Sequence, residues 1–301
     1  VTLSPRTLRG LAWVIGSLVF AFDRRNRRVA LANLDCVFGS SKTRAEKMRI
    51  ARDSYRTFAR TMLELFWAPN LDEPTMRRMI EIDGLDAHPC HKDPNQPLIY
   101  FCFHYSNFEW LSLFGPYVVG PAFVVTQRFK NPLLGPIFDR LRSHTGHEVT
   151  TQERAYLRMF KHLKKGGKFF MLTDLNLDPR ETSAIIDCFG LKTCVTQLHA
   201  AMALRTGALP VPVACKPLPD GRYFFKVFPP VEILPGDTEL SITQRCWDAL
   251  EPTIWERPEL WLWSYKHWRF KPADAPEGKY PFYANVAARF DRKLAEQSDR
   301  Q

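Results

Sequence analysis

The sequence predicts an α/β protein: a mixed, mostly parallel central sheet flanked by helices, with an N-terminal helical membrane-associating appendage. Three observations lead there. Short apolar runs alternate with helical patterns over residues 82–235, as in strands joined by crossover helices. A three- and four-residue apolar rhythm fills residues 24–68. One uncharged apolar run, Gly10 to Phe22, stands before a cluster of arginines.

That run has 13 residues, where a full span needs about 20. Arg24, Arg25, Arg27 and Arg28 follow it, which favours membrane contact with the downstream chain on the cytoplasmic side; an ordinary core helix is the alternative. The next stretch is helical, with Met48, Ala51, Tyr55, Phe58, Ala59, Met62 and Phe66 forming one apolar stripe. A short helix is expected from Glu73 to Ile80. Then the pattern changes. Pro97 to Phe103 reads as a buried strand, Asn107 to Tyr117 as a helix, and Ala122 to Val125 as a strand. Pro132 to Ser143 is helical, His147 to Val149 a short strand, and Ala155 to Lys165 a helix stopped by Gly166-Gly167. Lys168 to Thr173 is a strand, Thr196 to Thr206 a helix, and Leu209 to Cys215 and Tyr223 to Val231 are strands. Residues 238–255 and 284–296 close the series as helices. The division is an apolar membrane-associating segment (1–23), a basic helical region (24–81), the α/β domain (82–275) and a helical tail (276–301).

The charge balance narrows the partners. Of a net +10, +8 lies in residues 1–80, which points to an anionic surface. No nucleic-acid-reading motif is present, so acidic lipid and an acidic carrier protein fit the charge better. The seven cysteines are odd in number and lack C-x-x-C spacing, which argues against a disulfide framework or zinc knuckle. His88, Cys90 and His91 sit in a Pro-rich polar turn and read as a loop, not a metal site. Lys164 to Lys168 lacks the spacing of a phosphate loop. The cluster Trp255, Trp261, Trp263, Tyr265 and Trp268 reads as core or interfacial packing.

The chemistry-bearing segment is Phe101 to Glu109. A buried strand runs straight into His104, at the strand end where α/β sheets bind ligands. Glu109 follows in the first turn of the next helix, and a strand-to-helix turn can bring the two side chains together. A carboxylate on one imidazole nitrogen fixes the tautomer, freeing the other to take a proton from a hydroxyl. Asn107 suits either of two roles, orienting Glu109 or capping the helix. No G-x-S-x-G elbow is present, against a serine hydrolase.

Several blocks in order carry a resemblance. They are Asn26 to Leu34, Arg60 to Glu64, His104 to Glu109, Arg128 to Pro132, Met171 to Asp174, Phe189-Gly190, Gly207 to Val211 and Trp261 to Arg269. Together they resemble the bacterial lipid A late (secondary) acyltransferase family, within the H-x4-D/E glycerophosphate acyltransferase-like superfamily. The resemblance implies transfer of a fatty acyl chain from an acyl thioester to a hydroxyl of a lipid A precursor. Acyl carrier protein is favoured over coenzyme A as donor, and no other cofactor or metal is expected. His104 and Glu109 would be the general-base dyad, with no acyl-enzyme. Asn107, Arg128, Asn131 and Asp174 would bind substrate. Arg128 suits an oxyanion, a phosphate or a pair with Asp174. The expected partners are acyl carrier protein, a membrane lipid or glycolipid acceptor and the bacterial inner membrane surface, cytoplasmic face. Leu175, Cys188 and Tyr265-Lys266 depart from the family pattern. They leave a lysophospholipid, aminolipid or other glycolipid acceptor open, and, in another class, a non-catalytic lipid-binding membrane module.

Overall fold

The computed structural model describes residues 3–86, 88–89, 93–126, 131, 133–151, 155–180 and 182–299. Three helices come first: α1 (Pro5–Phe22), α2 (Arg24–Phe38) and α3 (Arg44–Trp67). Each begins at a side-chain cap. Ser4 accepts from Thr7 N–H, Asp23 from Asn26 N–H, and Thr43 forms a reciprocal capping box with Glu46. The helical reading of 24–68 is thus divided, with Gly39 at φ +47° making the break. Gly16 lets α1 lie close on α3, since a Cβ there would stand 2.5 Å from the Arg56 Cα. Among the described residues, no helix is long and apolar enough to cross a membrane.

The predicted stripe on α3 is only partly the buried one. Ala51 and Tyr55 are inside, but Phe58 and Phe66 are exposed. The buried face instead includes Ser54, Thr61 and Glu64. The reason is what lies opposite: loop carbonyls for Ser54 and Thr61, and the Asn107 amide and Tyr223 hydroxyl for Glu64, all polar groups that need hydrogen-bond partners.

Helix α4 (Glu73–Arg78) leads into β1 (Ile80–Asp83) and then β2 (Leu98–Cys102), α5 (Phe108–Val119), β3 (Phe123–Thr126), α6 (Leu134–Ser143), β4 (Glu148–Thr151), α7 (Ala155–Lys164) and β5 (Lys168–Leu172). A hairpin follows, β6 (Ser183–Cys188) and β7 (Leu191–Thr196), then α8 (Leu198–Thr206), β8 (Leu209–Pro217), β9 (Tyr223–Val227) and α9 (Glu239–Glu256). Short strands β10 (Phe270–Lys271) and β11 (Asn285–Val286) precede α10 (Ala288–Ser298). The seven-stranded sheet has the order β1-β9-β8-β2-β5-β3-β4. Only the β8–β9 pair is antiparallel, so the sheet is mixed and mostly parallel.

Strand β2 is central and buried on both sides, which is why it reads as an unbroken apolar run. Leu98, Tyr100 and Cys102 face α5. Ile99, Phe101 and Phe103 face the opposite core, with residues of α7, α8 and α9. Residues of α2 and α3 belong to these same two cores: Leu34, Ala51 and Tyr55 to one, Leu65 to the other. The front helices therefore pack as part of the sheet's own interior.

The β6–β7 hairpin had no counterpart among the expected strands. Its two-residue turn, Phe189-Gly190, has φ of +53° and +73°, the combination a tight hairpin needs. Phenylalanine is costly in that region. It is held there because its ring meets Trp247, Trp255, Trp261, Trp263 and Trp268; of these all but the exposed Trp255 are core packing. Six cysteines are free thiols; Cys90 and His91 lie outside the described residues. His88 instead meets the Tyr100 hydroxyl at 2.9 Å, and no metal-holding cluster occurs among the described residues.

Phe189→Ala should cost about 3 kcal/mol, the usual loss for a packed phenylalanine. Urea unfolding followed by tryptophan fluorescence would show the midpoint fall, with the native emission altered before unfolding begins.

Candidate active site

His104 stands one residue past the end of β2's apolar face, at the C-terminal edge of the sheet. Its Nδ1 is 2.7 Å from Asp174 Oδ1, and its backbone N–H donates to Asp174 Oδ2 at 2.9 Å. Trp261 Nε1–H donates to the same Oδ2 at 2.8 Å. Asp174 comes from the loop after β5, which pairs with β2 in parallel register. Adjacent parallel strands thus deliver the imidazole and the carboxylate side by side.

The Asp174 side chain is wholly buried, while that of His104 is 14% exposed. Burial works against the carboxylate's charge. The neighbouring His104, its hydrogen bond, His267 and the Trp261 indole outweigh it and hold the carboxyl below its usual range. An ionised Asp174 accepts Nδ1–H, so the lone pair lies on Nε2. Nε2 has no hydrogen bond among the described residues. The Phe108 ring meets the imidazole edge-on at 4.9 Å. His267 stacks on Trp261 at 3.9 Å, and burial pulls it down to about 4. It is a neutral spacer beside the pair.

The carboxylate that orients His104 is therefore Asp174, and the expected bond from Glu109 is absent. Both Glu109 oxygens bond Arg142 of α6, at 3.0 and 2.6 Å. The reason is the turn between them. Ser106 takes φ +53°, and the helix that starts after it turns the Glu109 side chain towards α6. Asn107 is completely buried. Its Oδ1 caps α5 through Trp110 N–H at 3.1 Å, and its Nδ2 donates to Glu64 Oε2 at 2.6 Å. Both ends of the amide are engaged in building the turn. Asn131 accepts from Leu133 N–H at 3.0 Å at the start of α6. Arg128 lies outside the described residues.

The turn that carries His104 is fastened from two directions. From α3, Thr61 Oγ1 donates to Ser106 O at 2.8 Å. Glu64 receives Asn107, Tyr223 Oη at 2.6 Å and Arg60 Nε at 2.7 Å. From the C-terminal segment, Ser106 N–H donates to Leu260 O at 2.8 Å and Leu262 N–H to His104 O at 3.1 Å. That segment is itself anchored by Asn33, whose Nδ2 donates to Trp263 O and Tyr265 O, both at 2.8 Å. These residues explain why the polar side of α3 faces inward. Sequence reasoning placed Trp261 and Glu64 only inside recognised blocks, and nothing local marked Arg142 as the partner of Glu109.

An apolar cavity of about 60 Å³ lies between α5 and the sheet, its walls including Tyr100, Leu111, Phe114, Gly115, Val118 and Phe225.

A base with its tautomer fixed, at the C-terminal edge of a sheet, is equipped to activate a hydroxyl. Comparison with known proteins agrees. A family model for bacterial lipid A biosynthesis acyltransferases matches residues 1–270. The chain is also similar to the lipid A biosynthesis lauroyltransferase of Escherichia coli (strain K12), with 23% identity over 268 residues, 87% of this chain and 85% of that protein. A match across so much of the chain makes the protein a member of the bacterial lipid A biosynthesis acyltransferase family.

Proposed function

We propose that the protein moves a fatty acyl chain from a thioester on acyl carrier protein to a hydroxyl of a lipid A precursor, with His104 as general base oriented by Asp174. The observation that carries this reading is the 2.7 Å contact between His104 Nδ1 and the buried Asp174. Nε2 removes the proton of the acceptor hydroxyl as its oxygen attacks the thioester carbonyl. Asp174 stabilises the imidazolium that forms and stays ionised throughout. The tetrahedral intermediate collapses, the carrier thiolate leaves, and it takes the proton back from Nε2. Ester and free thiol are the products, with no acyl-enzyme between.

The developing oxyanion needs preformed donors. Ser106 N–H is already committed to Leu260 O. The Phe108 and Glu109 N–H groups open α5 and are the donors this reading assigns, aided by the positive end of the helix. Glu109 acts through position: its ion pair with Arg142 fastens α6 beside the turn.

The membrane surface is assigned to α1. Leu8, Ala12, Gly16 and Phe20 face inward. Leu11, Trp13, Val14, Leu18, Val19 and Phe22 face outward and are exposed. Arg6 and Arg9 lie in its first half, with Arg24, Arg25 and Arg28 just past its end. An apolar face bracketed by arginines suits a helix lying in an anionic interface, here the cytoplasmic face of the inner membrane.

Cells lacking the protein should make lipid A short of one acyl chain, read by mass spectrometry of lipid extracts. The wild-type gene should restore it and His104→Ala should not. Asp174→Asn should lower kcat by about 10⁴-fold, the loss seen when an orienting carboxylate becomes an amide. Restoration by His104→Ala would sink the mechanism. A change confined to another lipid class would move the acceptor.

Arg142→Met strands the Glu109 carboxylate, whose side chain is 4% exposed, and should cost about 3–5 kcal/mol. Adding Glu109→Gln should recover most of that in urea unfolding. Trp13 fluorescence, isolated by comparison with Trp13→Phe, should shift blue with vesicles of anionic lipid and much less with neutral ones.

A further inference from the structure

Trp261 gives Asp174 its third donor, and the direction of that bond depends on the tilt of the indole. Phe189, Trp247 and Trp263 meet the indole at interplanar angles of 51°, 72° and 84°. Among the described rings, His267 alone lies over its face, at 3.9 Å and 22°. A ring laid on the face at contact distance opposes any tilt of the plane. The histidine is itself fixed. It is 2% exposed, and Tyr265 and Trp268 meet it edge-on. Its Nε2 is 2.9 Å from Leu262 O and its Nδ1 is 3.4 Å from Asp174 O. Burial keeps the ring neutral, so it has one N–H, and the shorter contact takes it: Nε2–H donates to Leu262 O. The ring is thereby tied to the residue whose own N–H donates to His104 O at 3.1 Å.

We propose that His267 is a positioning residue for acyl transfer, the ring whose face holds Trp261 at the angle from which its indole N–H reaches Asp174. The inference rests on the acyl-transfer reading above and adds a residue that acts without meeting the substrate. Its effect runs through the carboxylate. With the indole tilted away, one Asp174 oxygen loses a donor, and the His104 imidazole is held in a wider range of orientations. More of the carboxylate's charge is then left for His104, so the imidazolium is held more tightly and a higher pH is needed to free the base. The charges that act on Asp174 are those of His104 and His267. Tyr265 Oη lies nearby and donates to Asn176 O at 3.0 Å.

The test separates the ring from its N–H. His267→Gln keeps a donor for Leu262 O and removes the ring; His267→Phe keeps the ring and removes the donor. Both are compared with the wild type, with Trp261→Phe and with the His267→Gln, Trp261→Phe double variant, all full-length. The donor is the dodecanoyl thioester of acyl carrier protein, and the acceptor is lipid extract from cells lacking this protein. The readouts are kcat, KM and the pH profile of kcat, with thermal unfolding to show that each variant is folded. His267→Gln should lower kcat about ten-fold, the weight of one hydrogen bond to a charged group. Both KM values should stay within about two-fold, since no substrate contact is lost. The acid limb of kcat should move to higher pH. His267→Phe should keep kcat within about three-fold of the wild type, with the acid limb in place. In the Trp261→Phe background, His267→Gln should change kcat by less than about two-fold, because the two residues act as one unit. Wild-type kcat and acid limb in His267→Gln overturn the inference. So does a loss as large in the Trp261→Phe background as in the wild type, or a loss in His267→Phe equal to that in His267→Gln. Should His267→Gln fail to fold, His267→Phe decides: kcat retained there and lost in Trp261→Phe supports the inference, and equal losses in the two overturn it. Absence of transfer by the wild type overturns the acyl-transfer reading, and this inference falls with it.

Discussion

Everything at the site depends on one buried carboxylate. Asp174 has no contact with water and meets three donors: the His104 ring, the His104 N–H and the Trp261 indole. A buried charge is tolerated only when it is paired and hydrogen-bonded, and this one is saturated. Its position therefore fixes the position of the others. The imidazole cannot rotate without unpairing Asp174, and Trp261 cannot move without doing the same. Strand pairing supplies the coarse placement, and the carboxylate supplies the fine one.

The second constraint is the turn at Ser106. A non-glycine residue at φ +53° persists only where its surroundings over-determine it. Here α3 holds one side through Thr61 and Glu64, and the Leu260–Leu262 backbone holds the other. The inward polar face of α3 is the structural expression of that requirement. A helix that only covered a core would present methyl groups there.

Much of this was legible in the sequence. Every strand of the main sheet but β1, the crossover helices and His104 at a strand end follow from periodicity and the apolar runs; β1 begins at Ile80, which reads as the end of a helix. The partner of His104 did not. Five residues separate His104 from Glu109, and seventy separate it from Asp174. Local spacing favours the nearer carboxylate, while the deciding facts are a parallel register and a left-handed serine, neither of which has a local signature. Asp174 drew attention as a substrate-binding residue or a partner of Arg128, without the role of orienting His104. The stripe on α3 misled for a related reason: it assumed that buried means apolar, whereas Ser54 and Thr61 are buried to serve backbone and Glu64 to receive Asn107, Tyr223 and Arg60. The hairpin at Phe189 escaped notice because its turn lacks the usual asparagine or aspartate and is enforced by five indoles from elsewhere.

The bridge between Tyr105 and Trp261 has a consequence in time. The turn carrying His104 is made early in translation, and its clamp more than 150 residues later. Chain grows from the ribosome at about 5–20 residues per second, so His104 waits many seconds for Leu260, Trp261 and Leu262. Until they arrive, Ser106 has lost one of the two restraints that hold its strained backbone, and Asp174 lacks its indole donor. A nascent chain released before that segment emerges would carry the strand, the histidine and the aspartate, yet lack the indole and the backbone clamp that complete the turn. The site is thus finished by a segment made long after its histidine.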